Sequence, residues 1–274
     1  MQAKNLSQVK NILAVASGKG GVGKSTTAVN LALALAKEGM RTGILDADIY
    51  GPSVPLMLGI HGRPEITEQK KIHPVIAHGI QSMSIGYLVD EQTPMAWRGP
   101  MASGALQQLL NDTLWHHLDY LIIDLPPGTG DIQLTLAQKI PVTAAVIVTT
   151  PQDLALLDAR RAYEMFRKVN VPVLGMIENM SIHICSQCGH MEPIFGEGGG
   201  KQMAEQYNIP LLGELPLDMQ IRQQTDSGKP TVIADPESAN AKLYCEIAKK
   251  IMARLVLREK IDMSRFPKIV IQND

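Results

Sequence analysis

The chain has 274 residues, 45% hydrophobic and 19% charged, a composition that supports a large buried core and excludes a disordered or fibrous protein. Twenty-six basic residues stand against 27 acidic ones, so no overall field draws the chain to nucleic acid or to an anionic membrane. Met1 to Lys10 lacks the apolar core of a signal peptide, and no later apolar run approaches the roughly 20 residues of a membrane span, so a cytoplasmic protein with neither nucleic acid nor membrane as partner is expected.

Ile12 to Ala16 is a short apolar run that ends in a glycine-rich turn. Lys24 to Glu38 then places Ala28, Leu31 and Leu35 at helical spacing and closes at Gly39. Further apolar runs at Thr42 to Leu45, Tyr120 to Ile123, Ala144 to Val148 and Val171 to Ile177 alternate with helix-like stretches. The pattern predicts an α/β fold in three layers, a mostly parallel sheet with helices on both faces. The interval from Gly51 to Pro100 is rich in Pro, Gly and His and less regular, with one candidate strand at Ile80 to Ile85. Asn240 to Arg258 carries Leu243, Ile247, Ile251 and Leu255 at helical spacing and reads as a helix docked on the sheet. No composition shift marks a linker. One domain is expected over 1–274, with its core over about 11–257 and a tail over 258–274.

Gly18-Lys-Gly-Gly-Val-Gly-Lys-Ser25 fits the G-x-x-x-x-G-K-[ST] phosphate-loop pattern, between a predicted strand and a predicted helix. Gly18, Gly20, Gly21 and Gly23, with Val22 between them, let successive backbone N–H groups converge on phosphate oxygens, and the helix presents its positive end to the same anion. Lys24 is expected to neutralise the β and γ phosphates of ATP, Ser25 to ligate Mg²⁺, and Thr26 to continue the first helical turn. Lys19 is a second lysine that the ordinary motif does not require. Two ammonium groups beside one glycine turn repel unless a polyanion lies between them.

Asp46 and Asp48 follow the second predicted strand, and Asp124 and Asp131 follow or flank a later one. Ligands bind at the carboxyl edge of an open parallel sheet, so these acids and the phosphate loop are expected in one crevice. Asp124 has the position of a Walker B residue that holds Mg²⁺. Asp48 and Asp46 are candidates for orienting the attacking water, with turn or capping roles as the alternative. Gly128 and Gly130 give the loop after Asp124 freedom to move. Cys185 and Cys188 form a Cys-x-x-Cys pair flanked by His183 and His190, a spacing open to metal or redox chemistry. Cys245 lies in the predicted C-terminal helix and reads as a small core residue.

Lys19 to Ser25 resembles the deviant Walker A motif of the SIMIBI class of P-loop ATPases, which includes MinD and ParA. Within that class, Asp46-Ala-Asp-Ile-Tyr-Gly-Pro-Ser53, Asp124-Leu-Pro-Pro-Gly-Thr-Gly-Asp131, Glu178-Asn-Met180 and Cys185-x-x-Cys188 together resemble the Mrp/ApbC iron-sulfur cluster carriers, from around Asn11 to around Leu257. The resemblance implies hydrolysis of ATP to ADP and phosphate, and a homodimer in which Lys19 reaches the partner's nucleotide. It also implies that Asp48 positions the hydrolytic water and that Asn179 contacts adenine. Cys185 and Cys188 would bind a 4Fe-4S cluster taken from iron-sulfur donors and passed to recipient apoproteins. Such a cluster usually takes four thiolates, so two chains related by a two-fold axis would complete the set. Two other readings stay open on the residues: a MinD- or ParA-like positioning switch that reaches membrane or DNA, and a P-loop ATPase with a structural zinc.

Overall fold

In the computed structural model, which describes residues 4–89, 99–185 and 187–264, the first apolar run is strand β1 (Val9–Ala16), buried from Ile12 onward. Helix α1 (Lys24–Lys37) follows the glycine turn, then β2 (Thr42–Asp46) and the one-turn helix α2 (Val54–Met57). Strands β3 (Val75–Ala77) and β4 (Ile80–Ser84) come next. Helix α3 (Gly99–Asp112), β5 (Leu118–Asp124), α4 (Asp131–Lys139), β6 (Ala144–Thr149) and α5 (Asp153–Lys168) continue the alternation. The last third holds β7 (Val173–Ile184), β8 (Met191–Glu192), α6 (Gly199–Tyr207) and β9 (Leu211–Leu217). It ends with α7 (Met219–Asp226), α8 (Thr231–Ala234) and α9 (Ala239–Ser264).

All nine strands belong to one sheet, ordered β3-β4-β2-β5-β1-β6-β7-β8 with β9 also paired to β7. Within this sheet only the β3–β4 and β7–β8 pairings are antiparallel among the described residues. The predicted mostly parallel sheet is therefore observed. Side chains alternate across it with period two. Leu13 and Val15 pack on Leu31 and Leu35 of α1 and on Ile251 of α9, while Ile12, Ala14 and Ala16 face Leu106 of α3 and Phe166 of α5. Each large aliphatic side chain so buried contributes roughly 1.5–3 kcal/mol before chain entropy is counted, which fixes the strand ends that carry the polar residues.

Strands β1 and β5 begin earlier than expected, at Val9 and Leu118, and three departures from the sequence expectation are larger. Strand β7 starts at Val173 and runs on to Ile184, because its polar half pairs with β9 and β8 rather than entering the core. Helix α9 continues past Arg258 to Ser264, so the first part of the expected tail is helical, and the rest of it lies outside the described residues. The irregular interval after Gly51 contains α2, β3 and β4, and the expected strand at Ile80 to Ile85 ends at Ser84. Among the described residues no helix is long and apolar enough to cross a membrane.

Candidate functional site: a phosphate loop and a cysteine hairpin on one sheet edge

Strand β1 is flanked by β5 and β6, and the phosphate loop leaves its carboxyl end. Gly23 caps α1 in the left-handed region, at φ 79°, and no side chain caps the helix. The first amides of α1 are thus left without intrahelical partners and face the loop, as an anion requires. A Cβ on Gly23 would overlap the Asn179 amide, and one on Gly18 would overlap the Asp158 carbonyl. Only glycine fits at either position.

A cleft of about 220 Å³ opens here, lined by residues including Lys19, Gly21, Lys24, Ser25, Thr26 and Asp48. Lys24 is buried and pairs with the buried Asp124 carboxylate through Oδ1, with its ammonium also 3.1 Å from Ser25 Oγ. The second oxygen of Asp124, Oδ2, is buried with no hydrogen-bond partner. A buried acceptor without a donor is unfavourable unless a ligand or ion satisfies it. With the Ser25 hydroxyl close by, the donor set suits a hard cation coordinated through oxygen. Lys19 is exposed at the mouth of the cleft.

The two aspartates after β2 have separate duties. Asp46 is fully buried, and Oδ1 accepts from the Asp48 amide at 3.1 Å. Oδ2 accepts from the amides of Ser53 and Val54 at 3.0 and 3.1 Å and from Ser84 Oγ at 3.0 Å. Four internal donors bind its oxygens, and the carboxylate is buried outside the cleft lining, so it is not placed to hold an attacking water. Of the two roles left open for Asp46, these bonds support the turn and capping one: it takes the first amides of α2 and holds the loop. Burial, and then the neighbouring Asp124 carboxylate, push its pKa up to about 7. Asp48 is only half buried and lines the cleft. Burial raises its pKa, opposed by the Lys24 ammonium.

Asp131 is exposed at the first position of α4, where a carboxylate complements the helix dipole. Gly128, at φ 98°, donates its amide to the Ser17 carbonyl at 3.0 Å, which binds the loop after Asp124 to the entry of the phosphate loop. Asn179 reaches back from β7 and donates Nδ2 to the Val22 carbonyl at 2.9 Å. Its neighbour Glu178 points the other way, is buried, and accepts from the Gly200 amide. No spacing rule signals that bond, since the glycine lies 22 residues further on.

Beyond the same edge, β7 and β8 form a hairpin with His183 opposite Glu192 and Ile184 opposite Met191. Cys185 begins the turn, donating its amide to the His190 carbonyl and accepting from the Gly189 amide, both at 2.9 Å. Cys188 is exposed and Cys185 partly so. The Cys188 amide, then the Gln187 amide and the Cys188 thiol, lower the pKa of the Cys185 thiol, and the thiolate is the metal-binding form. His183 Nδ1 lies 3.1 Å from the Leu217 carbonyl. Among the described residues no group of three or more His, Cys, Asp or Glu converges to hold a metal. Cys245 is buried within α9, as expected of a core residue.

The family model described as ParA, NUBPL iron-transfer P-loop NTPase matches residues 8–252. The iron-sulfur cluster carrier protein of Pseudomonas fragi is 66% identical over 249 residues, 90% of this chain and 87% of that protein. Among solved structures, a nucleotide-binding protein from Archaeoglobus fulgidus in complex with ADP superposes with a TM-score of 0.75 at 37% identity, covering 87% of this chain and 93% of that one. The cell division ATPase MinD of Pyrococcus furiosus superposes with a TM-score of 0.65 at 23% identity over 89% of this chain and 98% of its own, which shows a shared fold. With the phosphate loop, the Lys24–Asp124 pair and the sheet order in place, the chain belongs to the NUBPL iron-transfer P-loop NTPase family.

Proposed function

We propose that this protein is an ATP-hydrolysing carrier that holds an iron-sulfur cluster between two copies of the chain and passes it to recipient apoproteins. The observation that carries the reading is the hairpin: two accessible thiols, one of them shifted toward thiolate, stand beyond the sheet edge that also holds the nucleotide cleft. Two thiols are half of the set a 4Fe-4S cargo usually takes. A second chain related by a two-fold axis supplies the other half, and thiols of a recipient can displace such exposed ligands one by one.

Nucleotide chemistry follows from the cleft. The triphosphate lies on the amides of Gly18 to Thr26, and Lys24 exchanges its bond to Asp124 for the β and γ phosphates. Asp124 Oδ2 and Ser25 Oγ would hold Mg²⁺, which neutralises charge on the phosphate oxygens. Asp48 positions the attacking water, Lys19 reaches the nucleotide of the partner chain, and Asn179 meets the adenine ring. The charge balance gives no support to a membrane- or DNA-positioning switch.

Anaerobic reconstitution with iron and sulfide tests the reading. The wild-type chain should turn brown, run as a dimer in light scattering, and restore the visible spectrum of an apo-ferredoxin. Cys185→Ala should stay colourless and still bind ATP. A colourless wild type, or one that takes up zinc in place of iron and sulfide, would overturn it.

A further inference from the structure

The loop that carries Asp48 is fastened at both ends to one carboxylate. Asp46 Oδ1 receives the Asp48 amide at 3.1 Å, and Oδ2 receives the Ser53 and Val54 amides at 3.0 and 3.1 Å. Between those fixed points the chain closes a small ring, from Asp48 through Ser53, that leads into α2. Ser84 Oγ, at the end of β4, makes the fourth bond at 3.0 Å and itself accepts the Gly86 amide at 3.0 Å. The ring is therefore tied to two strands of the sheet through a side chain that never reaches the cleft. At the far end of α2 the backbone of Gly59 lies against that of Gly228, too close for a Cβ at Gly228.

Asp46 is also the register partner of Asp124, the residue bonded to Lys24. Two carboxylates placed side by side at the ends of adjacent buried strands repel, so a position chosen only for packing would favour an uncharged residue. What the carboxylate provides here is an acceptor with enough lone pairs to gather four donors at once. Asparagine, the closest isostere, offers only one acceptor oxygen and would turn an NH₂ group toward donors that have no use for it.

We propose that Asp46 is a positioning residue for ATP hydrolysis: it touches neither nucleotide nor water, and acts by fixing the ring that sets where the Asp48 carboxylate stands in the cleft. The inference rests on the hydrolytic role given to Asp48 above. A displacement of about 1 Å in such a group lowers turnover by on the order of a hundredfold, which a loosened ring permits, while the phosphate cradle of Gly18 to Thr26 hangs on β1 and is left in place.

The test measures kcat, KM and ATP affinity for the full chain and for Asp46→Asn, Asp48→Ala, the double variant and Ser84→Ala. Asp46→Asn should lower kcat by roughly tenfold to a hundredfold with ATP affinity within about threefold of wild type. The double variant should be no slower than Asp48→Ala alone, because a residue that acts only through Asp48 has nothing left to position. Ser84→Ala, which removes one of the four donors, should lose kcat by several-fold at unchanged KM.

Unchanged kcat in Asp46→Asn overturns the proposal, as does a loss that multiplies with that of Asp48→Ala. Parallel loss of affinity and melting temperature also overturns it, since that marks a purely structural residue. Should Asp46→Asn fail to fold, Ser84→Ala decides, and full kcat there refutes the idea. Asp48→Ala separates the two claims: full turnover in that variant removes Asp48 and the positioning role together, whereas slow Asp48→Ala beside normal Asp46→Asn removes the positioning role alone.

Discussion

The phosphate loop and the cysteine hairpin stand at the same edge of the sheet, and they are built to opposite specifications. At the base of the loop the groups are placed by packing: Lys24 and Asp124 are buried against each other, and Gly23 lies flush with the Asn179 side chain. In the hairpin, Cys188 is exposed, and Ile184, Met191 and Ile194 around the pair have about half of their surface open. A nucleotide is bound by a preformed cradle whose geometry is the source of affinity. A cargo that must leave needs ligands that another molecule can reach. On the proposed function, the cleft would take only Lys19 from a second chain, whereas the hairpin would take half of its ligands from one.

The difference is broken most directly at Lys24. Lys24→Ala leaves the Asp124 carboxylate buried without its cation, so the nucleotide-free chain should lose about 3–5 kcal/mol of stability, read as a lower midpoint in urea. Calorimetry should detect no ATP binding. The same variant, kept cold and reconstituted with iron and sulfide, should still develop visible absorbance, since the hairpin turn is closed by its own backbone bonds. Loss of colour together with loss of nucleotide binding would mean that the hairpin depends on the cleft.

A smaller perturbation sharpens the same point. Gly23→Ala places a Cβ into the Asn179 amide and holds alanine at φ 79°, with a backbone cost of about 1–3 kcal/mol. ATP affinity should fall because Val22 and Asn179 are pushed apart. Adding Asn179→Ala should relieve the overlap and recover part of the melting temperature, without recovering the affinity if Asn179 meets the base. Full recovery of affinity in the double variant would remove Asn179 from adenine recognition.

The phosphate loop was legible in the sequence because its logic is local: a strand, a glycine run and a helix are contiguous, and the lysine has no packing reason to be there. The strands around it were legible for the same reason, since a strand buried on both faces is an unbroken apolar run. Strand β7 was cut short at Ile177 because its continuation, Glu178 to Ile184, is half polar, and its strand character comes from pairing with β9, which lies far along the chain, and with the two-residue strand β8. Strand β3 was missed for another reason: it is a three-residue edge strand with Ile76 exposed, too short to show a period. Asp46 and Asp48 look alike in sequence. Their roles separate only when the loop folds back to deliver the amides of Ser53 and Val54, which no spacing rule reports.

The opposite edge of the sheet supplies the mildest test and a control for both sites. Asp119, at the start of β5, accepts from Lys10 Nζ at 2.7 Å, from the Arg41 guanidinium at 3.0 and 3.1 Å and from the Arg41 amide at 3.0 Å. The Arg41 side chain first, and then Lys10, hold its pKa well below the ordinary carboxylate value of 3.8. A carboxyl group with a depressed folded pKa stabilises the fold above its unfolded pKa and loses that contribution as pH falls through the folded one. Lys10 and Arg41 are themselves largely exposed, so screening limits the network to roughly 0.2–1 kcal/mol. Asp119→Asn should therefore lower Tm at pH 7 by no more than about 2–4 °C, and the gap from wild type should narrow as pH drops below the ordinary carboxylate value of 3.8. ATP affinity and cluster uptake should match the wild type, because no bond runs from Asp119 to either site. A gap that widened in acid would reverse that sign and show that repulsion from nearby acids, rather than Arg41 and Lys10, governs this carboxylate.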